Sequence, residues 1–224
     1  MNWEKSENIP ELKNGDPLHI VYGTHTFTDS LSLEKILTPE ELIYSEKLRG
    51  EGQKNTWLSC RATLRLILGT YLNKEPMEVE FVKSRFGKLS LVDSNLFFNV
   101  SHSSHSFLLG FCTNGRIGVD IEKLSGREDL PALIEYAFSE EEANYCQTGN
   151  LTERFAEIWT LKEAFLKAMG IGLVDDLKSI TVIGNQQNNI SRLKFNHQTF
   201  QCPNGETGTI IYRNCKTLRF VWLD

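Results

Sequence analysis

Three consecutive runs, Leu96-Phe-Phe-Asn-Val-Ser101, Ser106-Phe-Leu-Leu-Gly-Phe-Cys-Thr113 and Arg116-Ile-Gly-Val-Asp-Ile-Glu122, decide the fold class. Each is short, largely apolar and rich in β-branched or aromatic residues, so each predicts a strand. Asn114-Gly115 joins the last two, and Asn-Gly between apolar runs is a hairpin signal. Helical patterns lie on both sides. Upstream, Leu64, Ile67, Leu68 and Tyr71 follow i, i+3, i+4, i+7 spacing and predict a helix over about Trp57 to Leu72, with Arg61 and Arg65 flanking its apolar stripe. Downstream, Phe155, Ile158, Leu161, Phe165 and Ala168 predict a helix over Thr152 to Met169 that Gly170 and Gly172 stop. Thr38-Pro-Glu-Glu41 and Ser139-x-x-Glu142 are capping-box signatures that open two further helices.

Residues 18–22, Glu78 to Lys83, Leu89 to Val92, Thr209 to Tyr212 and Leu218 to Trp222 add strand patterns, the last two within a β-rich stretch from Ser179 that predicts a sheet closing the second half. The chain reads as α+β, built of two compact halves, residues 1–100 and 101–224, that meet around residues 95–105.

Composition narrows the function classes. The 224 residues are 40% hydrophobic and 24% charged, which excludes collagen-like, disordered and coiled-coil chains. With 29 acidic against 24 basic side chains the net charge is −5, so no global attraction to nucleic acid or an anionic membrane is expected. No apolar run approaches the ~18 residues of a membrane span, and the polar start of the chain predicts no signal peptide. Five scattered cysteines without a Cys-x-x-Cys pair argue against a disulfide framework and a zinc site, and point to a reducing cytosol. Neither a P-loop nor a Gly-x-Gly-x-x-Gly turn is present.

The residues able to carry chemistry fall into three groups. In the strand from Arg116 to Glu122, side-chain alternation sends Ile117, Val119 and Ile121 to one face and Asp120 and Glu122 to the other. Two carboxylates on one face suit a hard cation such as Mg²⁺, and equally suit a solvated strand face. In the second long helix, Trp159, Glu163 and Lys167 stand at i, i+4 and i+8 on a face of their own, as a site would require and as an ordinary surface ion pair would also produce. His102 follows Ser101 at a strand end flanked by small polar residues that can hold an anion. A basic turn, Lys83-Ser-Arg-Phe-Gly-Lys88, precedes them.

The order Phe98-Asn-Val-Ser-His-Ser103, Gly118-Val-Asp-Ile-Glu122 and Trp159-Thr-Leu-Lys-Glu-Ala-Phe-Leu-Lys167 resembles the 4′-phosphopantetheinyl transferases, over about Thr38 to Leu173. The length is similar to the Sfp-type subgroup, in which one chain holds two similarly folded halves in a pseudo-dimeric arrangement. The resemblance implies transfer of the phosphopantetheine arm of coenzyme A to a serine of an apo acyl or peptidyl carrier protein, with Mg²⁺ and release of adenosine 3′,5′-bisphosphate. It implies that Asp120, Glu122 and Glu163 hold the metal, that Lys167 and His102 contact phosphate beside Ser101, and that Arg61 and Lys88 take the 3′-phosphate of coenzyme A. Glu163 is the first choice of general base and Glu122 the alternative; Lys162 is assigned a supporting or phosphate-contact role. The family's Lys-Pro-x-Gly-Lys-Pro loop is Lys83-Ser-Arg-Phe-Gly-Lys-Leu89 here, without either proline. Glu142 falls where the family often has a glutamate, and a helix-start charge explains it equally well. A coenzyme A- or carrier-binding module without turnover and a Mg²⁺-dependent pyrophosphate hydrolase are the competing readings. A monomer is expected, serving fatty acid, polyketide or nonribosomal peptide synthesis.

Overall fold

The computed structural model describes residues 2–6, 18–24, 32–113, 115–124, 129–172, 176–184, 188–215 and 217–223. In chain order the elements are β1 (Glu4–Ser6), β2 (Leu18–Thr24), α1 (Pro39–Ser45), α2 (Glu51–Leu72), β3 (Phe81–Lys83), β4 (Leu89–Leu91), β5 (Phe97–His102), β6 (Ser106–Cys112), β7 (Ile117–Glu122), α3 (Leu130–Ala137), α4 (Glu140–Cys146), α5 (Leu151–Met169), α6 (Asn189–Arg192), β8 (Asn196–Gln201), β9 (Thr207–Tyr212) and β10 (Leu218–Leu223). The mixed α+β class is as expected. The strands form a five-stranded sheet in the order β1-β10-β2-β6-β5, a three-stranded sheet β7-β9-β8 and a small β3-β4 pair.

Four layers follow from the two-residue period of the strands. On β2 and β6, Val21, Phe107, Leu109 and Phe111 pack against Leu64, Ile67 and Leu68 of α2. The alternate residues Leu18, Ile20, Tyr22 and Leu108 meet Ile117, Val119, Ile121 and Ile210 of the second sheet. Helix α5 covers the outer face of that sheet with Phe155, Ile158, Leu161 and Phe165 in the cluster it forms with Ile211. Both faces of β6 are therefore covered, and all seven of its residues are buried. Among the described residues no helix is long and apolar enough to cross a membrane.

The capping boxes at Thr38 and Ser139 form as the sequence predicts, and Gly170 closes α5 in the left-handed conformation at φ 72°. Helix α2 begins at Glu51, six residues before the predicted start at Trp57. The pattern Glu78 to Lys83 yields only the short strand β3, preceded by a 3₁₀ turn at Pro76–Glu78 that the proline initiates.

Two expectations are corrected. Asn114 itself lies outside the described residues, but the strands on either side do not form a hairpin: β6 pairs with β2 and β5, while β7 joins β9 in the other sheet. Ile117 and Val119 press against the position where Gly110 has no side chain, so the two strands stack face to face. The stretch from Ser179 closes the second sheet only with β8 and β9; β10 inserts in parallel between β1 and β2, burying Val221 and Leu223 under α2.

Candidate active site

Gly118 determines where the site lies. A Cβ there would stand 2.0 Å from the Ala164 carbonyl oxygen and 2.5 Å from the Ala168 nitrogen, so only glycine lets α5 settle directly on β7. Two residues on, Asp120 points at the same helix and is 3% exposed. The solvated-face reading of this strand therefore fails. Lys167 Nζ donates to Asp120 Oδ1 at 2.6 Å and to Ser101 Oγ at 2.8 Å, and the Ser101 hydroxyl donates to the same Oδ1 at 2.8 Å. Strand β5 is registered beside β7 by Asn99, whose Oδ1 accepts the Val119 N–H at 2.8 Å. The second carboxylate oxygen of Asp120, Oδ2, is buried with no hydrogen-bond partner.

Glu163, one turn before Lys167, shares this environment. Burial, and then the negative charge of Asp120, push its carboxyl above the ordinary carboxylate range, with Lys167 opposing. Its wall belongs to a cleft of about 340 Å³ lined also by Phe86, Gly87, Lys88, Lys167 and Gly172. Leu89, Val100 and Lys167 separate that cleft from a second, of about 290 Å³, which carries Trp57, Arg61, Ser101 and His102. His102 in turn borders a third, polar cleft of about 540 Å³ with Ser103, Ser104, Glu122 and Lys123. Through these shared walls the three clefts adjoin as successive parts of one groove-like surface.

Basic groups line it. Lys88 Nζ donates to the carbonyls of Ile117 (3.1 Å) and Lys167, and burial, reinforced by the charge of Arg116, lowers its pKa to about 8. The Arg61 guanidinium lies between the Trp57 and Phe81 rings, 5.4 and 5.3 Å from their centroids, with Glu41 at 3.6 Å; burial holds its pKa below the usual value. His102 is solvent-accessible but set in a concavity, and desolvation followed by the Lys167 charge lowers its pKa, favouring the neutral ring at pH 7.

The sequence-predicted residues Ser101, Asp120, Glu163 and Lys167 thus converge, with Arg61, Lys88 and His102 along the same groove. Glu122, two residues or about 6.6 Å further along the strand than Asp120, lines the adjoining polar cleft rather than the one that holds Glu163 and Lys167. Among the described residues no three His, Cys, Asp or Glu side chains cluster closely enough to hold a metal ion. Lys162 is also elsewhere. It is 2% exposed, and its ammonium donates to the carbonyls of Ala137, Leu177 and Ile180 at 2.7–2.9 Å and pairs with Glu142 at 2.7 Å, so it cannot reach a phosphate in the groove. Sequence reading overlooked the bridging role of Asn99, although a polar, β-averse residue inside Phe97-Phe-Asn-Val was a usable signal. It also overlooked Trp57 and Phe81, whose rings look like ordinary core residues until Arg61 is seen between them.

Residues 116–211, which hold β7, α5 and β9, match the 4′-phosphopantetheinyl transferase superfamily. The match covers 96 of the 224 residues. The match runs well past Leu173, which itself lies outside the described residues, because β8 and β9 complete the sheet on which Asp120 sits. Among curated relatives, the chain is 33% identical over 148 residues to the 4′-phosphopantetheinyl transferase HetI of Nostoc sp., covering 63% of this chain and 62% of that protein. It is 29% identical over 178 residues to a phosphopantetheinyl transferase of Thraustochytrium sp., covering 72% and 62%, and 28% identical over 135 residues to Sfp of Bacillus subtilis, covering 57% and 58%. The chain spans about three fifths of the length of these relatives.

Proposed function

We propose that the chain transfers the 4′-phosphopantetheine group of coenzyme A to a serine of an apo acyl or peptidyl carrier protein. The observation that carries the reading is the convergence of Asp120, Lys167 and Glu163, all inside the region matched to the superfamily, with Ser101 of the neighbouring strand on one basic groove. The serine oxygen attacks the phosphorus that bears the pantetheine; a new P–O bond forms, the pyrophosphate bridge breaks, and adenosine 3′,5′-bisphosphate leaves with the bridging oxygen. Glu163 accepts the serine proton as general base. Lys167 donates to the phosphate oxygens on which charge builds, and Ser101 holds that ammonium in place. Arg61, His102 and Lys88 bind the remaining phosphate along the groove.

Mg²⁺ fits this donor set. A buried Asp120 oxygen without a partner, close enough to the Glu163 carboxyl for its charge to perturb it, suits a divalent cation. Asp120 and Glu163 would hold it, with Glu122 approaching from the neighbouring cleft. When bound, the ion neutralises pyrophosphate charge and polarises the scissile bridge. The reading takes the chain as a cytosolic monomer of two similar halves.

Intact-mass analysis of an apo carrier protein incubated with this chain, coenzyme A and Mg²⁺ tests the proposal. Gain of one phosphopantetheine, abolished by EDTA, is the expected result. Coenzyme A cleaved without a carrier adduct would instead indicate a pyrophosphate hydrolase, and binding without either product a module without turnover.

A further inference from the structure

Behind Asp120 lies a row of hydroxyls to which no step above assigns a role. Asp120 on β7, Thr209 on β9 and Thr199 on β8 stand directly opposite one another in the sheet register, so their side chains share the face that α5 covers. Thr209 Oγ lies 2.9 Å from Thr199 Oγ and 2.7 Å from Thr160 Oγ of α5, and the Thr160 hydroxyl is also 2.7 Å from the Ala156 carbonyl one turn back. Thr160 and Thr209 are 0% exposed. Thr160 precedes Glu163 by three residues and Lys167 by seven, and so occupies the same helix face as both.

We propose that Thr209, acting through Thr160, is a positioning residue for Asp120 and Glu163. A hydroxyl has one proton. In whichever direction the row is polarised, the Thr209 proton goes to Thr160 or Thr199, and Asp120 Oδ2 stays without a donor although a hydroxyl stands at the paired position. The row thus does two things. It hydrogen-bonds α5 to the sheet at the level of Asp120, fixing the rotation that turns Glu163 and Lys167 towards it, and it withholds a competing donor from the carboxylate oxygen available to a cation. Valine at 209 keeps the shape and removes the bonds; serine keeps the bonds and removes a methyl.

The inference rests on the function proposed above, and the test separates the two. Wild type, Thr209→Val and Thr209→Ser are compared in carrier-loading kinetics and, without coenzyme A or carrier, in Mn²⁺ binding followed by electron paramagnetic resonance. Thr209→Val is expected to lower kcat and Mn²⁺ affinity each about tenfold, as loss of a supporting hydrogen bond behind a ligand typically does, with KM for coenzyme A within about twofold. Thr209→Ser is expected to restore both. Wild-type kcat and Mn²⁺ affinity in Thr209→Val would overturn the proposal, as would a serine variant as impaired as the valine one, since the methyl packing would then be what matters. A wild-type protein that binds Mn²⁺ but loads no carrier defeats the functional reading alone, and the Mn²⁺ comparison still decides the role of Thr209.

Discussion

Two places in the molecule use the same device. At α1 the capping-box glutamate Glu41 accepts the Thr38 N–H and a forked pair from Arg65 of α2 at 2.7 and 3.1 Å, and one Arg65 nitrogen reaches the carbonyls of Pro76, Met77 and Val79. At α4 the capping-box glutamate Glu142 accepts the Ser139 N–H and pairs with Lys162 of α5, which reaches the carbonyls of Ala137, Leu177 and Ile180. Each glutamate therefore caps a short helix and clamps the long helix that follows it. The difference is in what surrounds the base. The residue after Lys162 is Glu163 and the fifth is Lys167, whereas Arg65 is followed by Leu66 and, at the fifth place, Thr70. Helix α2 instead sends Arg61, one turn before its clamp, into the groove. One fastening thus serves two helices, one carrying the carboxylate and ammonium, the other a guanidinium.

The clamps also differ in depth, and stability should follow that difference. Side chains of Lys162 and Glu142 are 2% and 0% exposed, those of Arg65 and Glu41 5% and 15%. Lys162→Met leaves a fully buried carboxylate unpaired and three carbonyls without their donor, a loss of about 3–5 kcal/mol. Arg65→Met leaves Glu41 with some access to water, so about 1–3 kcal/mol is expected. Urea denaturation of both variants checks the order; equal midpoints would break the comparison.

Activity should separate from stability at the neighbouring position. Glu163→Gln keeps the shape of the side chain and removes its proton affinity, so carrier loading should fall by about 10²–10⁴-fold while the urea midpoint stays near wild type. Loss confined to KM would remove Glu163 from the role of base.

A pH effect is expected from Lys88, which joins the groove to the end of α5. The folded chain releases the Lys88 proton near pH 8, the unfolded chain near pH 10.5. Between those values the unfolded chain holds more protons, so stability rises with pH across that window, and Lys88→Met flattens the rise. Donor affinity goes the opposite way. A phosphate beside Lys88 favours the charged amine, so coenzyme A binding should take up a proton and weaken as pH rises past about 8. Calorimetry in buffers of different ionisation enthalpy measures that uptake, and an affinity independent of pH between 7 and 9.5 would take Lys88 out of the phosphate contacts.

The parts of this arrangement legible in the sequence are those fixed by local rules. Thr38-Pro-Glu-Glu41 and Ser139-x-x-Glu142 state their own caps, and alternation in Ile117 to Glu122 places Asp120 opposite the isoleucines whatever the rest of the chain does. Spacing alone puts Glu163 and Lys167 on one helix face. What was not legible depends on partners distant in sequence. Lys162 stands beside the apolar stripe, i+4 from Ile158 and i−3 from Phe165, which signals burial but not the partner: it meets Glu142 in the core, whereas Lys167 meets Asp120 in the groove. Asn-Gly at 114–115 suits a hairpin locally, but Gly110 and Gly118 allow β7 to stack between β6 and α5, and that packing prevails over the turn preference. Thr209 is an unremarkable strand threonine until the register sets it opposite Asp120.

The smallest expected effect tests whether the two clamps begin from equivalent caps. In each, a hydroxyl accepts the N–H of its glutamate, Thr38 Oγ from Glu41 at 3.4 Å and Ser139 Oγ from Glu142 at 3.3 Å. Removing either hydroxyl should cost about 0.5–2 kcal/mol. The cap geometry is nearly the same, so any difference must come from what the glutamate does next. Glu142 also accepts the Val182 N–H at 2.9 Å through its other oxygen, and it has no access to water. A carboxylate set free to turn there would loosen Lys162 and the segment around Val182 together, whereas Glu41 remains held by the Arg65 fork. Ser139→Ala should therefore fall towards the upper end of that range and Thr38→Ala towards the lower, and Ser139→Ala alone should speed amide hydrogen exchange at Val182. Equal losses with unchanged exchange at Val182 would mean that the cap and the clamp act independently.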